Sequence, residues 1–231
     1  YRNGGDLILA IRGTPDQVRV LNWREGDSFR IERVEFGDGT LWDKAFLLGQ
    51  TADFDSLPIL GTSGNDYLGG DQGNNIFRGG AGNDSLMGAG GNDTYLFDLG
   101  DGQDTIIKSE FAEGNLDTLR FGTGIASADI VLARNGTDLI ISIRGSADQV
   151  TIQDWNGNAP AALQRIEFAD GTFWDAAYLH AQTADFNSLP ILGTSGSDSL
   201  MGSAGSDTYL FVRGGGQDTI SDAGGELDTL R

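Results

Sequence analysis

A nine-residue period runs unbroken from Gly61 to Leu96, and it limits the possible folds more than any other feature of the chain. Its units read Gly61-Thr-Ser-Gly-Asn-Asp-Tyr-Leu-Gly69, Gly70-Asp-Gln-Gly-Asn-Asn-Ile-Phe-Arg78, Gly79-Gly-Ala-Gly-Asn-Asp-Ser-Leu-Met87 and Gly88-Ala-Gly-Gly-Asn-Asp-Thr-Tyr-Leu96. Glycine at positions one, two and four permits positive φ and a tight turn. Position six carries the charge. Position eight is large and apolar, and a short strand there would turn it inward. Internal periods of this kind belong to stacked architectures, in which each unit borrows its core from its neighbours.

The period sits inside a longer repeat. Asp6-Leu-Ile-Leu-Ala-Ile-Arg-Gly13 returns as Asp138-Leu-Ile-Ile-Ser-Ile-Arg-Gly145, and Gln50 to Gly64 returns from Gln182, both at an offset of 132. Past that point the offset falls to 114, because Met87 to Ile106 matches Met201 to Ile220. The missing eighteen residues equal two nonapeptides, so the second tract keeps only the units starting at Gly193 and Gly202. Leu200 and Tyr209 fill its eighth positions. Leu116-Asp-Thr-Leu-Arg120 returns as Leu227-Asp-Thr-Leu-Arg231, so the chain reads as a piece of a longer array.

Composition narrows the chemistry. Thirty-six glycines and a formal net charge of -19, from 34 acidic and 15 basic residues, call for one common cause. Such a surface repels nucleic acid and anionic membranes, and its natural counter-charge is a hard cation that prefers oxygen ligands. Cysteine is absent, which removes disulfides and thiolate metal sites. No apolar run reaches the length of a membrane span, and Tyr1-Arg2-Asn3-Gly4 does not read as a signal peptide.

Between the tracts the pattern changes to strand-like alternation, over Leu139 to Ile143, Gln149 to Trp155, Leu163 to Phe168 and Thr172 to Trp174. Asp38-Gly39 and Asp170-Gly171 are hairpin turn signals, and Asp175 is the expected N-cap of a short helix. Trp23, Trp42, Trp155 and Trp174 are expected as core anchors rather than a ligand-stacking surface. The expected division is a β-rich module over 1–60, a repeat tract over 61–110, a second module over 111–192 and a shorter tract over 193–231.

The nonapeptides resemble the repeats-in-toxin, or haemolysin-type, calcium-binding family, and the segments between them resemble the related domain that accompanies such tracts. The resemblance implies an all-β fold, in which parallel β-roll tracts alternate with small β-rich modules that carry a short helix. Two nonapeptides would form one eighteen-residue turn, with stacked loops at the strand spacing of about 4.8 Å. Asp66 then faces Asp84, Asn75 faces Asp93, and Asp84 faces Asp104 after a two-residue slip. In the family each calcium takes main-chain carbonyls and one aspartate oxygen from each of two stacked loops.

Carried over, a first site uses the carbonyls of Gly61, Ser63, Gly80 and Gly82 with the carboxylates of Asp66 and Asp84. The wider set in the first tract adds Gly64, then Gly70, Gly73 and Asn75, then Gly79 and Ala81. It continues through Gly88, Ala89, Gly90, Gly91 and Asp93 to the closing Gly100, Gly102 and Asp104. In the second tract it comprises Gly193, Ser195 and Asp198, then Gly202, Gly205 and Asp207, then Gly214, Gly216 and Asp218. About three ions are expected in the first tract and about one or two in the second, since fewer loops stack there. Asn75 replaces an aspartate and should weaken its site. Asp71, Thr62, Ala89, Thr194 and Ser203 occupy second-glycine positions, and loss of the Asp71 carboxylate is expected to cost little.

No catalytic constellation competes with this reading. His-Glu-x-x-His and Gly-x-Ser-x-Gly are absent, and the single histidine, His180, aligns with Leu48 of the other copy. Asp98-Leu-Gly-Asp-Gly looks superficially like an EF-hand loop but lacks its twelfth-position Glu, and reads as a closing turn. The resemblance implies a secreted, extracellular or cell-surface protein, a monomer, exported by type I secretion machinery and partnered by several calcium ions. No enzyme activity, nucleic acid or membrane span is expected. The region would be a folding and spacer scaffold of an adhesin or toxin, with the accessory C-terminal part of a secreted lipase, protease or polysaccharide enzyme as the alternative.

Overall fold

A computed structural model describes residues 1–3, 5–10, 17–26, 28, 30–51, 57–107, 115–155, 163–183, 186–224 and 227–231. It is nearly all β, a parallel roll with two short helices, Lys44–Gln50 and Ala176–Gln182. One nine-stranded sheet carries Ile59–Leu60, Ile76–Arg78, Thr94–Phe97, Thr118–Phe121 and Arg165–Glu167 as a parallel run. The facing sheet, also nine-stranded, carries Tyr67–Gly69, Ser85–Met87, Gln103–Ile106 and Gln149–Ile152. The chain passes from one sheet to the other at every nonapeptide, and the glycine loops form two edges.

Register shows how the period becomes a coil. Tyr67 pairs with Ser85 and Ile76 with Thr94, eighteen residues apart, as two nonapeptides per turn require. Ser85 then pairs with Thr105, and Thr94 with Thr118, so the next turns take twenty and twenty-four residues. Beyond them Gln103 pairs with Gln149 and Thr118 with Arg165. Extra length is absorbed outside the strands and the ladder continues. The expected seam between 110 and 111 lies within 108–114, outside the described residues, and strands on both sides of it share the same sheets.

Position eight builds the core. Phe77 and Tyr95 continue through Ile59, Leu119 and Ile166 on one sheet, opposite Leu68, Leu86, Ile106 and Ile152 on the other, all at most 2% exposed. Each such side chain contributes roughly 1.5–3 kcal/mol. Phe77 and Tyr95 stack with centroids 5.2 Å apart, as parallel registry places identical positions above one another.

The modules are antiparallel additions to the same sheets. Ile130–Asn135, Asp138–Ile143 and Gln149–Ile152 form a meander, and Asp6–Ala10 with Gln17–Val20 forms its counterpart near the start. Asp43 and Asp175 cap the two helices, accepting the N–H of Phe46 and Tyr178 at 2.8 Å. Gly39 and Gly171 take φ of +86° and +87° in the two hairpin turns, as the Asp-Gly signals require. Trp23 and Trp155 are buried, and each donates its indole N–H to a threonine hydroxyl, Thr51 and Thr183, at 3.1 and 3.0 Å. Trp42 and Trp174 are half-buried, each edge-on to a phenylalanine, Phe36 and Phe168. Burial as anchors is thus complete only for the first pair, because the helix-side tryptophans lie on the rim.

Candidate metal centre

Parallel stacking puts position six of successive turns in a column. On the first edge the N–H of Asp66 donates to Asp84 Oδ1 at 2.8 Å, and that of Asp84 donates to Asp104 Oδ1 at 3.0 Å. On the second edge Asn75 donates to Asp93 Oδ1 and Asp93 to Asp117 Oδ1, both at 2.8 Å. The second tract repeats the device from Asp198 to Asp218 at 3.1 Å and from Asp207 to Asp228 at 3.0 Å. One carboxylate oxygen thus holds the neighbouring turn and leaves the other for a further partner. Asp84 Oδ2 and Asp104 Oδ2 are buried with no hydrogen-bond partner.

Two glycine roles separate here. Gly80, Gly82, Gly91, Gly100, Gly102, Gly214 and Gly216 take positive φ, between +89° and +132°. The expectation of positive φ at position one is not met by Gly61, Gly70, Gly79, Gly88, Gly193 or Gly202. What demands glycine there is closeness: a Cβ on Gly79 would lie 2.2 Å from Asp84 Oδ2, and one on Gly88 1.9 Å from Asp93 Oδ2. At Gly79, Gly88 and Gly193 position one is bare so that the carboxylate of position six can fold back over it, at Gly70 the Asn75 amide oxygen does so, and at Gly202 the close neighbours are the Tyr209 hydroxyl and Asp222.

The departures at position two mostly share one explanation. Gly61, Gly70, Gly193 and Gly202 open the first loop of their edge, with no preceding nonapeptide loop to bond. Those loops cap themselves: Gly64 donates to Thr62 Oγ1, Gly73 to Asp71 Oδ1, Gly196 to Thr194 Oγ1 and Gly205 to Ser203 Oγ, at 2.8–3.4 Å. Ala89 differs, lying in a second-turn loop with φ of +71°, a strained conformation for a side chain with a Cβ. Asp71 is also more than a lost glycine, since its carboxylate lies 3.4 Å from the guanidinium of the fully buried Arg2. The sequence reading, which expects loss of the Asp71 carboxylate to cost little, missed that partner.

Electrostatically the inner members of the columns crowd negative charge together. Burial pushes the carboxyl of Asp93 up to about 7, helped by Asp117 and Asp71 and opposed by Arg2. Burial likewise pushes Asp104 up to about 7, with Asp84, Asp101 and Asp148 adding to it. Asp84 and Asp117 are also raised, chiefly by burial. Stacked carboxylates, an orphaned oxygen on two of them, and loops rich in main-chain carbonyls make a donor set of hard oxygens alone. That set fits calcium rather than zinc or copper.

The residues of the expected set lie on the loops of the two edges or at their junctions with strands, except Asp104, which is the second residue of the strand Gln103–Ile106. Gly100 and Gly102 also donate N–H groups to Asp148, at 2.9 and 3.2 Å, so a module residue closes that end of the first edge. Asp117, Asp228 and Asp222 were missed. Asp117 and Asp228 continue the columns, and Asp117-Thr-Leu119 does reproduce Asp93-Thr-Tyr95, though an insertion hides the spacing. Asp207, Asp222 and Asp228 can bring one oxygen each within 4.8 Å of one another, and Asp222 also accepts the Tyr209 hydroxyl. Asp98 and Asp101 form the turn between two coils, Asp101 Oδ2 accepting the N–H of Asp98 at 2.7 Å. His180 packs its ring on Trp155 at 5.9 Å, away from both edges.

Comparison with known proteins matches these parts separately. The model of the RTX calcium-binding nonapeptide repeat covers residues 60–95 and 191–210, and that of the haemolysin-type calcium binding protein related domain covers 6–45 and 138–178. Among curated proteins the chain is 33% identical over 87 residues to the iron-regulated protein FrpA of Neisseria meningitidis serogroup C. That match takes in 36% of this chain and 8% of the relative's length. Among solved structures it is similar to the extracellular lipase LipA of Serratia marcescens, with 18% identity and a TM-score of 0.39, over 71% of this chain and 28% of the lipase.

Proposed function

The chain belongs to the RTX, haemolysin-type calcium-binding proteins, and from that premise we propose that its stacked loops bind several calcium ions and fold as they do so. The first site takes the carbonyls of Gly61, Ser63, Gly80 and Gly82 with Asp66 and Asp84, and the other stacked pairs repeat the arrangement. The observation that carries this reading is the pair of orphaned, buried oxygens on Asp84 and Asp104. In a metal-free fold they would be among its costliest atoms. Bound calcium supplies the charge that makes such a column favourable, and the chain's residues supply placement.

The region acts as a noncatalytic folding and spacer scaffold of a secreted or surface-exposed adhesin or toxin, monomeric and exported unfolded by type I machinery. Affinities of about 10⁻⁴ to 10⁻³ M, ordinary for extracellular modules, would keep it unfolded in a low-calcium cytosol and folded outside. The test is calcium titration followed by far-ultraviolet circular dichroism and limited proteolysis. Equal spectra and equal protease resistance at micromolar calcium and at about ten times the upper affinity would sink the proposal.

A further inference from the structure

We propose that one buried arginine from each module, Arg134 in the second copy and Arg2 in the first, is a resident cation. It closes the outer end of the second-edge column and locks module to roll before any metal arrives. This rests on the reading of the inner positions as calcium sites.

An interior aspartate has a loop on either side, as Asp93 has Asn75 and Asp117. The first member of a column has only one. In the opening loops of both edges Oδ2 is met locally, that of Asp66 by the N–H of Thr62, of Asp198 by Thr194 and of Asp207 by Ser203, each at 2.7 Å. The edges differ at Oδ1, the oxygen that interior members turn toward the preceding loop. Arg134 Nη2 donates to Asp207 Oδ1 at 2.6 Å, with the two side chains 5% and 2% exposed. The Arg134 backbone belongs to the meander strand Ile130–Asn135, pairs in parallel with Ile191, and donates its N–H to the carbonyl of Pro190 at 2.7 Å. The module thereby hydrogen-bonds to the first strand of the roll and reaches past it to the first loop.

The other copy arrives at the same pairing by a different route. Arg2 pairs with Ile59, donates its N–H to Pro58 at 3.0 Å and its Nε to the Leu57 carbonyl at 3.0 Å. Its guanidinium faces Asp71, because in this loop position six is Asn75 and the carboxylate stands at position two instead. Asn75 Nδ2 donates to Asp71 Oδ1 at 3.1 Å, so the pair takes the place of the single aspartate. A carboxylate that moves four residues along its loop yet keeps its buried arginine indicates that the cation is what the position requires.

Chemistry explains why the cation is not a metal. Outside the first loop no second nonapeptide supplies carbonyls, so calcium would find about half of its oxygen ligands. A guanidinium is always charged, weakly hydrated and tolerates burial against a carboxylate. The seam strands Ile191–Leu192 and Thr208–Leu210 are therefore compensated without calcium, and the roll grows from the module outward.

Hydrogen exchange on the full chain in chelator, read at the amides of those two strands, tests this with Arg134→Gln and with Arg134→Gln/Asp207→Asn. Wild type should show protection there, the single variant should lose it by about tenfold or more, and the double variant, with no unpaired buried charge, should regain most of it. In saturating calcium the single variant should recover. Equal protection in wild type and Arg134→Gln, or a double variant no better than the single, overturns the proposal. Absence of protection in chelated wild type also overturns it while leaving the calcium reading intact. A wild type that takes up no calcium sinks that reading but not the lock.

Discussion

Asp84 combines an oxygen that holds the Asp66 turn with an oxygen that holds nothing, and it stands between the Asp66 and Asp104 loops. Two stacked sites therefore depend on it. Asp84→Asn should weaken calcium binding by about tenfold or more, since charge count sets affinity in such sites. The same change should stabilise the metal-free fold by removing a buried like charge. Opposite signs in calcium titration and in chelated thermal unfolding are the expected pair, and a loss in both would mean that Asp84 is merely structural. Protons report the same columns. Asp93 and Asp104 titrate near 7 in the metal-free fold, against 3.8 for an ordinary aspartate. Their raised values favour the metal-free fold at acid pH, and that contribution is lost as pH rises from about 4 through about 7. Calcium must displace those protons. Calorimetric titrations at pH 7 in buffers of different ionisation enthalpy should reveal net proton release that disappears by about pH 8.5.

At the scale of loops and strands, the three-residue strands and their inward residues were legible because glycine spacing and position eight fix both turn and face. The pairs Asp66 with Asp84 and Asn75 with Asp93 followed from counting to eighteen. Counting stops working at Asp117, where the turn takes twenty-four residues, and at Gln149, because a parallel ladder needs only that each coil return to its column, at any loop length. Arg2 was illegible for another reason: its partner lies 69 residues away, and its copy Arg134 meets a carboxylate at a different position of the loop, so the repeat does not show the pairing. Glycine roles were half legible, since a sequence shows the absent Cβ but not whether φ or a close neighbour demands it. Gly82 and Gly64 separate these cases. At Gly82, φ is +132° and a Cβ would lie 2.8 Å from the Gly64 backbone, whereas at Gly64 the nearest such atom is Thr62 Oγ1 at 3.9 Å. Thermal unfolding of the calcium-loaded chain should show Gly82→Ala costing about 2 kcal/mol or more and Gly64→Ala within about 0.5 kcal/mol of wild type.

Over the whole molecule the two tracts differ in the number of stacked carboxylate pairs. The first holds 66 with 84, 84 with 104, 75 with 93 and 93 with 117, and the second holds 198 with 218 and 207 with 228. Without metal, each coil offers two inward apolar residues against the backbone entropy of its glycines. The second module has more: Leu139, Ile141, Val150, Trp155, Leu179 and Phe186 form one buried cluster that continues into the roll core. Chelator should therefore melt the chain unevenly, leaving 130–152 and the arginine-locked strand Ile76–Arg78 with slow-exchanging amides while 85–107 exchange freely. Returning calcium should restore the first tract cooperatively, since its inner aspartates Asp84 and Asp93 each serve two neighbours. The chain with Asp198→Ala and Asp207→Ala should keep about two thirds of the wild-type calcium by native mass spectrometry, the share of the four first-tract pairs among the six. Loss of half or more of the metal, or uniform exchange of module and roll in chelator, would show that occupancy does not follow the stacked pairs.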